Sequence, residues 1–502
     1  MSTAALALKQ SRSSLRHDSD GVEQLIYDTH AIACENADQI LEELGPRNRY
    51  ILFMTLLLSF AWAVGAMPIM CSAFIVSSGD CNEETKCEHE NRTTVVSDFN
   101  LTDERQYLAD WTTSAFMLGN MFGASVLTHI SDRIGRRPVL LLSLMTLAIV
   151  GSASVLAESI HLFTFGRFLQ GICSPGICLV VWVLGYECIP ITLRGYATLI
   201  YGTMWVIGYC ALAPMAYFIT NWRILLLAST LPAGILAIVF FFLVPESLHF
   251  LVVNGKNEEA MKWVKKAQKY DRSQSNKNVG KMMEALFNST SKRQETKHSK
   301  SLGIDELLSN KIFIFYSLIL TFLWTSDTFV YFGISLYTTR LAGNKYWNYA
   351  ISGIIEMPAY LFAPAVLDNC GRKPVVVWTH FLAGFSLIAF ILVPNGMGWL
   401  RTSLWLMGKF GISCSFICIF VYGSEIFPTT LRNVCIGLCS VIARVGGIVA
   451  PYVKLLEIVS PQLPMVFFGS VSVAAGVLTL FLPETKGHAL PSSLSDIREE
   501  SK

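Results

Sequence analysis

Five charged side chains interrupt otherwise apolar stretches of this sequence: Arg167, Asp327, Glu356, Lys409 and Arg444. A central Arg or Asp in a membrane-length apolar segment costs about 2.5–3.5 kcal/mol on insertion scales, so such residues normally form a pair or line a polar pathway. Arg444, in Ala443-Arg444-Val445-Gly446-Gly447, lies 11 residues from Asn433, where its apolar segment starts. In a helix that is about 16 Å, near mid-membrane. Its guanidinium fork suits a carboxylate or sulfate, and an ion pair with Glu356 or Asp327 is the structural alternative. Glu356 would attract an ammonium group, and an acid and a base together suit a zwitterion or form a pair that a bound solute must break. Trp324, Asp327 and Tyr331 are spaced three, four and seven apart, which puts them on one helical face.

Elements able to hold these residues follow from composition. The 502 residues are 52% hydrophobic and 15% charged, against roughly 25% charged in soluble globular proteins. Mean hydropathy is +0.46. The net charge of +2 leaves no basic excess for a phosphate backbone, so nucleic acid is not an expected partner. Residues 1–49 are polar with no apolar run near the start, so a secretory signal is not expected in them. Twelve apolar segments follow, near 50–70, 111–130, 138–157, 161–183, 197–219, 223–244, 312–337, 347–367, 374–394, 402–423, 433–455 and 463–482. They are too long for membrane strands and lack their alternation, so they read as helices. About 28 of the 39 Lys and Arg fall on the side of the termini and about eight on the other, which predicts cytoplasmic termini. The expected organisation is a cytoplasmic segment 1–49, a six-helix half 50–245 with an extracellular loop at about 72–109, a solvated cytoplasmic linker 246–311, a second six-helix half 312–483 and a cytoplasmic tail 484–502. Within the linker, Glu258 to Gln268 has helical periodicity.

Ten of the thirteen cysteines lie in apolar or cytoplasm-assigned stretches and read as packing residues. The others, Cys71, Cys81 and Cys87, fall at or in the first outer loop beside sequons at Asn91 and Asn100. A Cys81–Cys87 bridge is one of three possible pairings. Asn288 also heads a sequon, but in the most basic loop.

The two halves repeat. Asp132-Arg133-Ile134-Gly135-Arg136-Arg137-Pro138 returns as Asp368-Asn369-Cys370-Gly371-Arg372-Lys373-Pro374 at an offset of 236, by subtraction. Glu187 with Arg194 returns as Glu425 with Arg432, and Pro245-Glu246-Ser247 as Pro483-Glu484-Thr485, both at 238. An even number of spans per half makes this a parallel repeat, with the solute expected between the halves near the midplane.

At these residues the sequence resembles the major facilitator superfamily, and more narrowly its organic cation, carnitine and organic anion carriers. Gly166-Arg167-Phe168-Leu169-Gln170-Gly171, Tyr331-Phe332-Gly333, Glu356-Met357-Pro358-Ala359-Tyr360, Glu425-Ile426-Phe427-Pro428-Thr429 and Pro483-Glu484-Thr485-Lys486-Gly487 carry the likeness over about 40–490. His129 stands where the family usually has Gly, and Leu248-His249 where it has Pro-Arg. The resemblance implies an all-α membrane protein of twelve helices in two six-helix halves, working by alternating access at the plasma membrane. It also implies salt-bridge gates built from Asp132, Arg133, Gly135, Arg136, Arg137, Glu187, Arg194, Asp368, Gly371, Arg372, Lys373, Glu425 and Arg432, with Arg167 and Lys409 expected in the same networks. Trp324 and Tyr331 match an aromatic cavity wall of the related carriers, which Trp205, Tyr209, Phe416 and Phe420 could extend.

The expected function is transport of a small organic ion, with an anion or a carnitine-like zwitterion favoured because Arg444 stands where cation carriers have an acid. An organic cation carrier, a sugar porter and a non-transporting sensor are the alternatives. The expected partners are the solute and membrane lipid. No metal, nucleotide or catalytic motif emerges, no cofactor is expected, and the coupling ion, if any, and the oligomeric state are not specified by the sequence.

Overall fold

The computed structural model describes residues 36–76, 92–101, 105–270, 279–295, 310–341, 343–394, 396–428 and 431–487. Cys81, Cys87 and Asn91 lie outside the described residues. Among the described residues, twelve long helices carry the apolar segments: α1 Arg49–Met70, α2 Tyr107–Ile134, α3 Arg136–Ser154, α4 Ile160–Tyr186, α5 Ile191–Phe218 and α6 Trp222–Leu243, then α7 Lys311–Tyr337, α8, α9 Arg372–Leu392, α10 Gly398–Ile426, α11 Arg432–Val449 and α12 Leu463–Thr479. Helix α8 comes in two pieces, Lys345–Ile354 and Glu356–Cys370. The break has a local cause: Pro358 has no N–H to give the carbonyl of Ile354 and its ring crowds that oxygen. Helix α11 runs on as a tighter 3₁₀ stretch, Ala450–Ile458.

Ten of these helices are long and apolar enough to cross a membrane, and α12 is apolar but 17 residues long. Helix α2 runs 28 residues, about 42 Å, and therefore outlasts a hydrocarbon core of about 30 Å. Large apolar side chains such as Ile149, Ile235, Phe242, Leu318 and Trp378 are exposed on the outer faces, as expected where lipid is the solvent. The inner faces carry small residues. A Cβ on Gly119 would sit 2.0 Å from the carbonyl oxygen of Phe168, and one on Gly171 2.0 Å from that of Phe116, so α2 and α4 touch backbone to backbone.

The chain forms two compact units. One comprises the described residues up to Phe53, of Tyr186–Arg194 and of Ser247–Ser299. In it, the amphipathic helix Ala37–Leu44 buries Ile40, Leu41 and Leu44, and Asp38 receives both Arg194 at 2.6 Å and His249 at 3.1 Å. The linker helix Asn257–Lys269 buries Trp263, whose ring meets Tyr50 edge-on at 5.8 Å. The other unit holds the described residues of Met54–Gly185, of Gly195–Glu246 and from Lys300 onward.

The sequence repeat is a structural one. Gly135 and Gly371 end α2 and α8 with φ of +114° and +96°, a region that disfavours a Cβ. Each turn is closed by a glutamate about 110 residues further along the chain. Glu246 accepts from the backbone N–H of Arg136 and of Arg137 at 3.1 Å, and Glu484 accepts from those of Arg372 at 2.9 Å and Lys373 at 3.1 Å. A carboxylate thus satisfies the free N–H groups at the start of α3 and of α9.

The seam between the halves also obeys the repeat. Ser114 of α2 donates to the Ile448 carbonyl of α11 at 2.7 Å, and Tyr209 of α5 stacks on Tyr349 of α8 with ring centres 4.4 Å apart. The offsets carry α2 onto α8 and α5 onto α11, so these are the same contact made twice.

Candidate functional site

Two fully buried acid–base pairs lie in the C-terminal half. Glu356, first residue of the second piece of α8, meets Lys409 of α10 at 2.9 Å. Tyr331 of α7 donates to Glu356 at 3.1 Å and accepts from the Trp205 indole of α5 at 2.9 Å, which links this pair to the N-terminal half. Lys409 Nζ also donates to Ser335 at 2.5 Å and sits 3.5 Å from the Tyr331 ring centre, a cation–π geometry. The second pair is Asp327 of α7 with His380 of α9, 3.1 Å apart, with Ser415 of α10 donating to Asp327 at 3.2 Å.

Arg444 has a different setting. It is half-buried on α11, and among the described residues no hydrogen bond or ion pair reaches it; its Nε is buried without a partner. Glu356 and Asp327, its two possible structural partners, are held by Lys409 and His380 instead. Its electrostatic neighbour is Cys178 of α4, across the seam. A half-buried guanidinium with open donors is suited to bind an oxyanion. Trp324 is buried against Phe420 with ring centres 5.5 Å apart, and Tyr331 lies 5.9 Å from Phe416. These rings and Trp205 form one aromatic wall running from α10 to α5.

At the Gly135 and Gly371 turns, Arg136 pairs with Asp132 at 3.1 Å, and Arg137 donates to the Phe241 carbonyl at 2.6 Å. Arg372 grips Glu425 with Nε and Nη2 at 2.9–3.1 Å and approaches Asp368 at 3.8 Å. Thr485 donates to Glu425 and Ser247 to Glu187, each at 2.5 Å, one more matched pair. Lys373 contributes its backbone N–H, and Arg133 is exposed. Arg432 differs from its counterpart Arg194: Arg194 has Asp38, whereas Nε and Nη2 of Arg432 are buried with no partner among the described residues.

Arg167 and Lys409 do not join these networks, which corrects the expectation. Arg167 is seven residues into α4, and α4 starts at the membrane face opposite Gly135. Its donors reach the Pro68 carbonyl at 2.9 Å, Gln170 at 2.9 Å and Ser72 at 2.7 Å, and it lies over the Phe116 ring. Lys409, 11 residues into α10, is taken by Glu356. Asn100 sits exposed at φ +50°.

Sequence reasoning missed His380, although a histidine inside an apolar segment was a usable signal. It also missed Asp110 and Lys454, which stand at the ends of their segments. They pair with each other across the halves beside a recess lined also by Ser72, Thr113, Tyr337 and Arg340. Arg340 meets Glu457 at 2.6 Å on the same rim.

Comparison with known proteins agrees with this architecture. Residues 51–493 match the sugar (and other) transporter family. A Caenorhabditis elegans protein is 36% identical over 463 residues, 92% of this chain and 91% of its own length. The organic cation transporter protein of Drosophila melanogaster is 33% identical, covering 80% of this chain and 73% of its own, and organic anion transporter 3 of Rattus norvegicus is 32% identical, covering 82% and 77%. A solute carrier family 22 protein of Mus musculus, member 21, is 31% identical, covering 82% and 72%. In fold, the chain is similar to the inward open xylose transporter XylE from E. coli, with a TM-score of 0.67, 18% identity and coverage of 89% and 99%. With twelve helices in two repeated halves, the chain is a multi-pass membrane transporter that belongs to the sugar (and other) transporter family of the major facilitator superfamily and, within it, to solute carrier family 22.

Proposed function

We propose that this transporter carries a small organic anion or zwitterion across the plasma membrane by alternating access, with Arg444 as its recognition charge. One observation carries the reading: among the described residues Arg444 is half-buried at the seam with no partner, while Glu356 and Asp327 already face Lys409 and His380. A carboxylate that engaged Arg444 would make charge-assisted hydrogen bonds. Trp324, Tyr331 and Trp205 would flank the organic part of the solute.

In this reading the termini and the linker are cytoplasmic, and Asn100 and Asn91 are glycosylated outside. The charges around Gly135 and Gly371 steady the cytoplasmic ends of the helices, while Asp110–Lys454 and Arg340–Glu457 brace the extracellular ends. An anion entering a negative cell is opposed by about 2.3 kcal/mol per 100 mV, so uptake against that field needs exchange or a coupled ion.

The rat relative is named for organic anions and the fly relative for organic cations, and Glu356 would serve a cation only after release from Lys409. The test is uptake of labelled p-aminohippurate, carnitine and tetraethylammonium into cells expressing the wild type or Arg444→Asp. Anion or carnitine uptake lost in the variant is the expected result. Tetraethylammonium uptake by the wild type, unchanged in Arg444→Asp, would overturn the reading.

A further inference from the structure

Asp327, His380 and Ser415 are each fully buried within the C-terminal half. His380 Nδ1 lies 2.9 Å from the Val376 carbonyl oxygen one turn earlier in α9, and Nε2 lies 3.1 Å from Asp327 Oδ1. Ser415 Oγ donates to Asp327 Oδ2 at 3.2 Å and is 3.1 and 3.3 Å from the two ring nitrogens. A carbonyl can only accept, so Nδ1 carries a proton. Oδ1 has no hydrogen-bond partner among the described residues, so in a neutral ring a bare Nε2 would stand beside a carboxylate oxygen that is bare as well. The single hydroxyl proton of Ser415 goes to Oδ2 and cannot fill that gap. The buried carboxylate therefore requires one proton within the cluster, carried by the ring as imidazolium or by Asp327 as the acid. Either form leaves the cluster electrically neutral. Without the proton a buried carboxylate is uncompensated, which forces the cluster to part or admit water.

From this geometry we propose that Asp327, His380 and Ser415 form a proton-binding site whose loading and release accompany solute movement, so that the carrier is proton-coupled. The inference rests on the transporter reading and adds the ion that drives it. The link to the seam is short. Asp327 is one turn from Tyr331 on α7, and Ser415 adjoins Phe416 on α10. Those two rings touch, and Tyr331 bonds Trp205 and Glu356. Parting α7 from α9 to release the proton therefore moves the aromatic wall. Of the titratable groups on the neighbouring helices, Cys418 of α10 faces Asp327. Helix α12 offers the Ser472 hydroxyl to the His380 carbonyl. No Lys or Arg of α8, α10, α11 or α12 is recorded against Asp327 among the described residues; Lys409 is committed to Glu356, and Arg444 makes no contact with it. In the cycle one proton enters from water on one side, is held by His380 or Asp327, and leaves to water on the other; no bond to the solute forms or breaks.

The experiment uses the purified full chain in lipid vesicles with the membrane potential clamped, and labelled p-aminohippurate, carnitine and tetraethylammonium as probes. Counterflow at equal pH reads the carrier itself, and uptake under an inward proton gradient reads coupling. A probe that shows counterflow is expected to accumulate, with a limit of about tenfold per pH unit for one proton. His380→Gln should keep counterflow and lose that accumulation. If it does not fold, the double variant Asp327→Val with His380→Leu serves with the same expectation. Wild-type counterflow without a response to the gradient, or unchanged accumulation in the variant, overturns the proton site and leaves the transporter reading intact. Should none of the three probes show counterflow, the substrate reading fails instead, and the site is read from the pH dependence of thermal unfolding in detergent. A wild-type titration step missing from His380→Gln supports it, and no such step in the wild type overturns it.

Discussion

Arg167 and Lys409 occupy matching places in the two halves, within Gly166-Arg167-Phe168 and Gly408-Lys409-Phe410. Each bonds the matching serine, Ser72 or Ser335, which are 263 apart by subtraction. There the likeness ends. Arg167 is satisfied by neutral oxygens and an aromatic face, whereas Lys409 faces Glu356, whose counterpart at offset 236 is the neutral Asn120. The same offset sets the buried Leu144 against His380, and an offset of 263 sets Val64 against Asp327. At these positions the N-terminal half is apolar or neutral where the C-terminal half holds acids and their partners. The repeated frame is shared, and the chemistry is concentrated in one copy.

Making the halves alike tests this contrast. The largest effect is expected from Glu356→Gln, which copies the neutral N-terminal setting but strands Lys409. Breaking one side of a buried pair costs about 3–5 kcal/mol, read as a fall in the unfolding midpoint in detergent. Adding Lys409→Met should restore most of that loss; a double variant no better than the single would show that the pair is not a unit. Next comes Arg444→Val, which copies Val206 at offset 238. Losing hydrogen bonds from a charged group at about 1.5–3 kcal/mol predicts a roughly ten- to hundredfold rise in KM for an anionic or zwitterionic solute, with stability little changed. An unaltered KM would remove Arg444 from recognition.

Gly371→Ala comes third, at about 1–3 kcal/mol for a positive φ. A Cβ there would also sit 2.8 Å from Glu484 Oε2, so the turn and its glutamate are disturbed together. Thermal unfolding that matched the wild type would show that the turn tolerates a side chain. The smallest change is expected from Glu484→Gln, at roughly 1 kcal/mol. Burial pushes this carboxyl up, but the backbone N–H groups of Lys486, Arg372, Lys373 and Thr485 outweigh it and hold the group below its ordinary value. A carboxylate whose native value is lowered contributes stability above the unfolded glutamate value, and loses it as pH falls through the native one. The wild type should therefore lose stability on acidification through that window, and the variant should lose less; equal losses would exclude Glu484 as the source.

The helices were legible because an apolar run of membrane length is hard to mistake, and the repeat because Gly135 and Gly371 recur within the same charged motif. Helix ends were less so. Tyr107–Ile134 extends past the apolar segment 111–130 because polar turns continue the helix beyond the lipid. The linker helix was legible in the periodicity of Glu258 to Gln268, but its burial was not: Trp263 packs against Tyr50, a contact between residues more than 200 apart that no local pattern announces. The same limit applies to the site. Glu356 and Arg444 stood out as charges in apolar runs, yet whether each has a partner depends on which helices the fold sets side by side.

The 3₁₀ stretch Ala450–Ile458 carries Lys454 to Asp110 and Glu457 to Arg340. A 3₁₀ helix rises about 2.0 Å per residue against about 1.5 Å in an α-helix. These nine residues are therefore about 4–5 Å longer than the same sequence wound as α, and runs beyond three or four residues are uncommon. Rewinding the end of α11 as an α-helix would retract and turn Lys454, and so part that rim without either half having to tilt first.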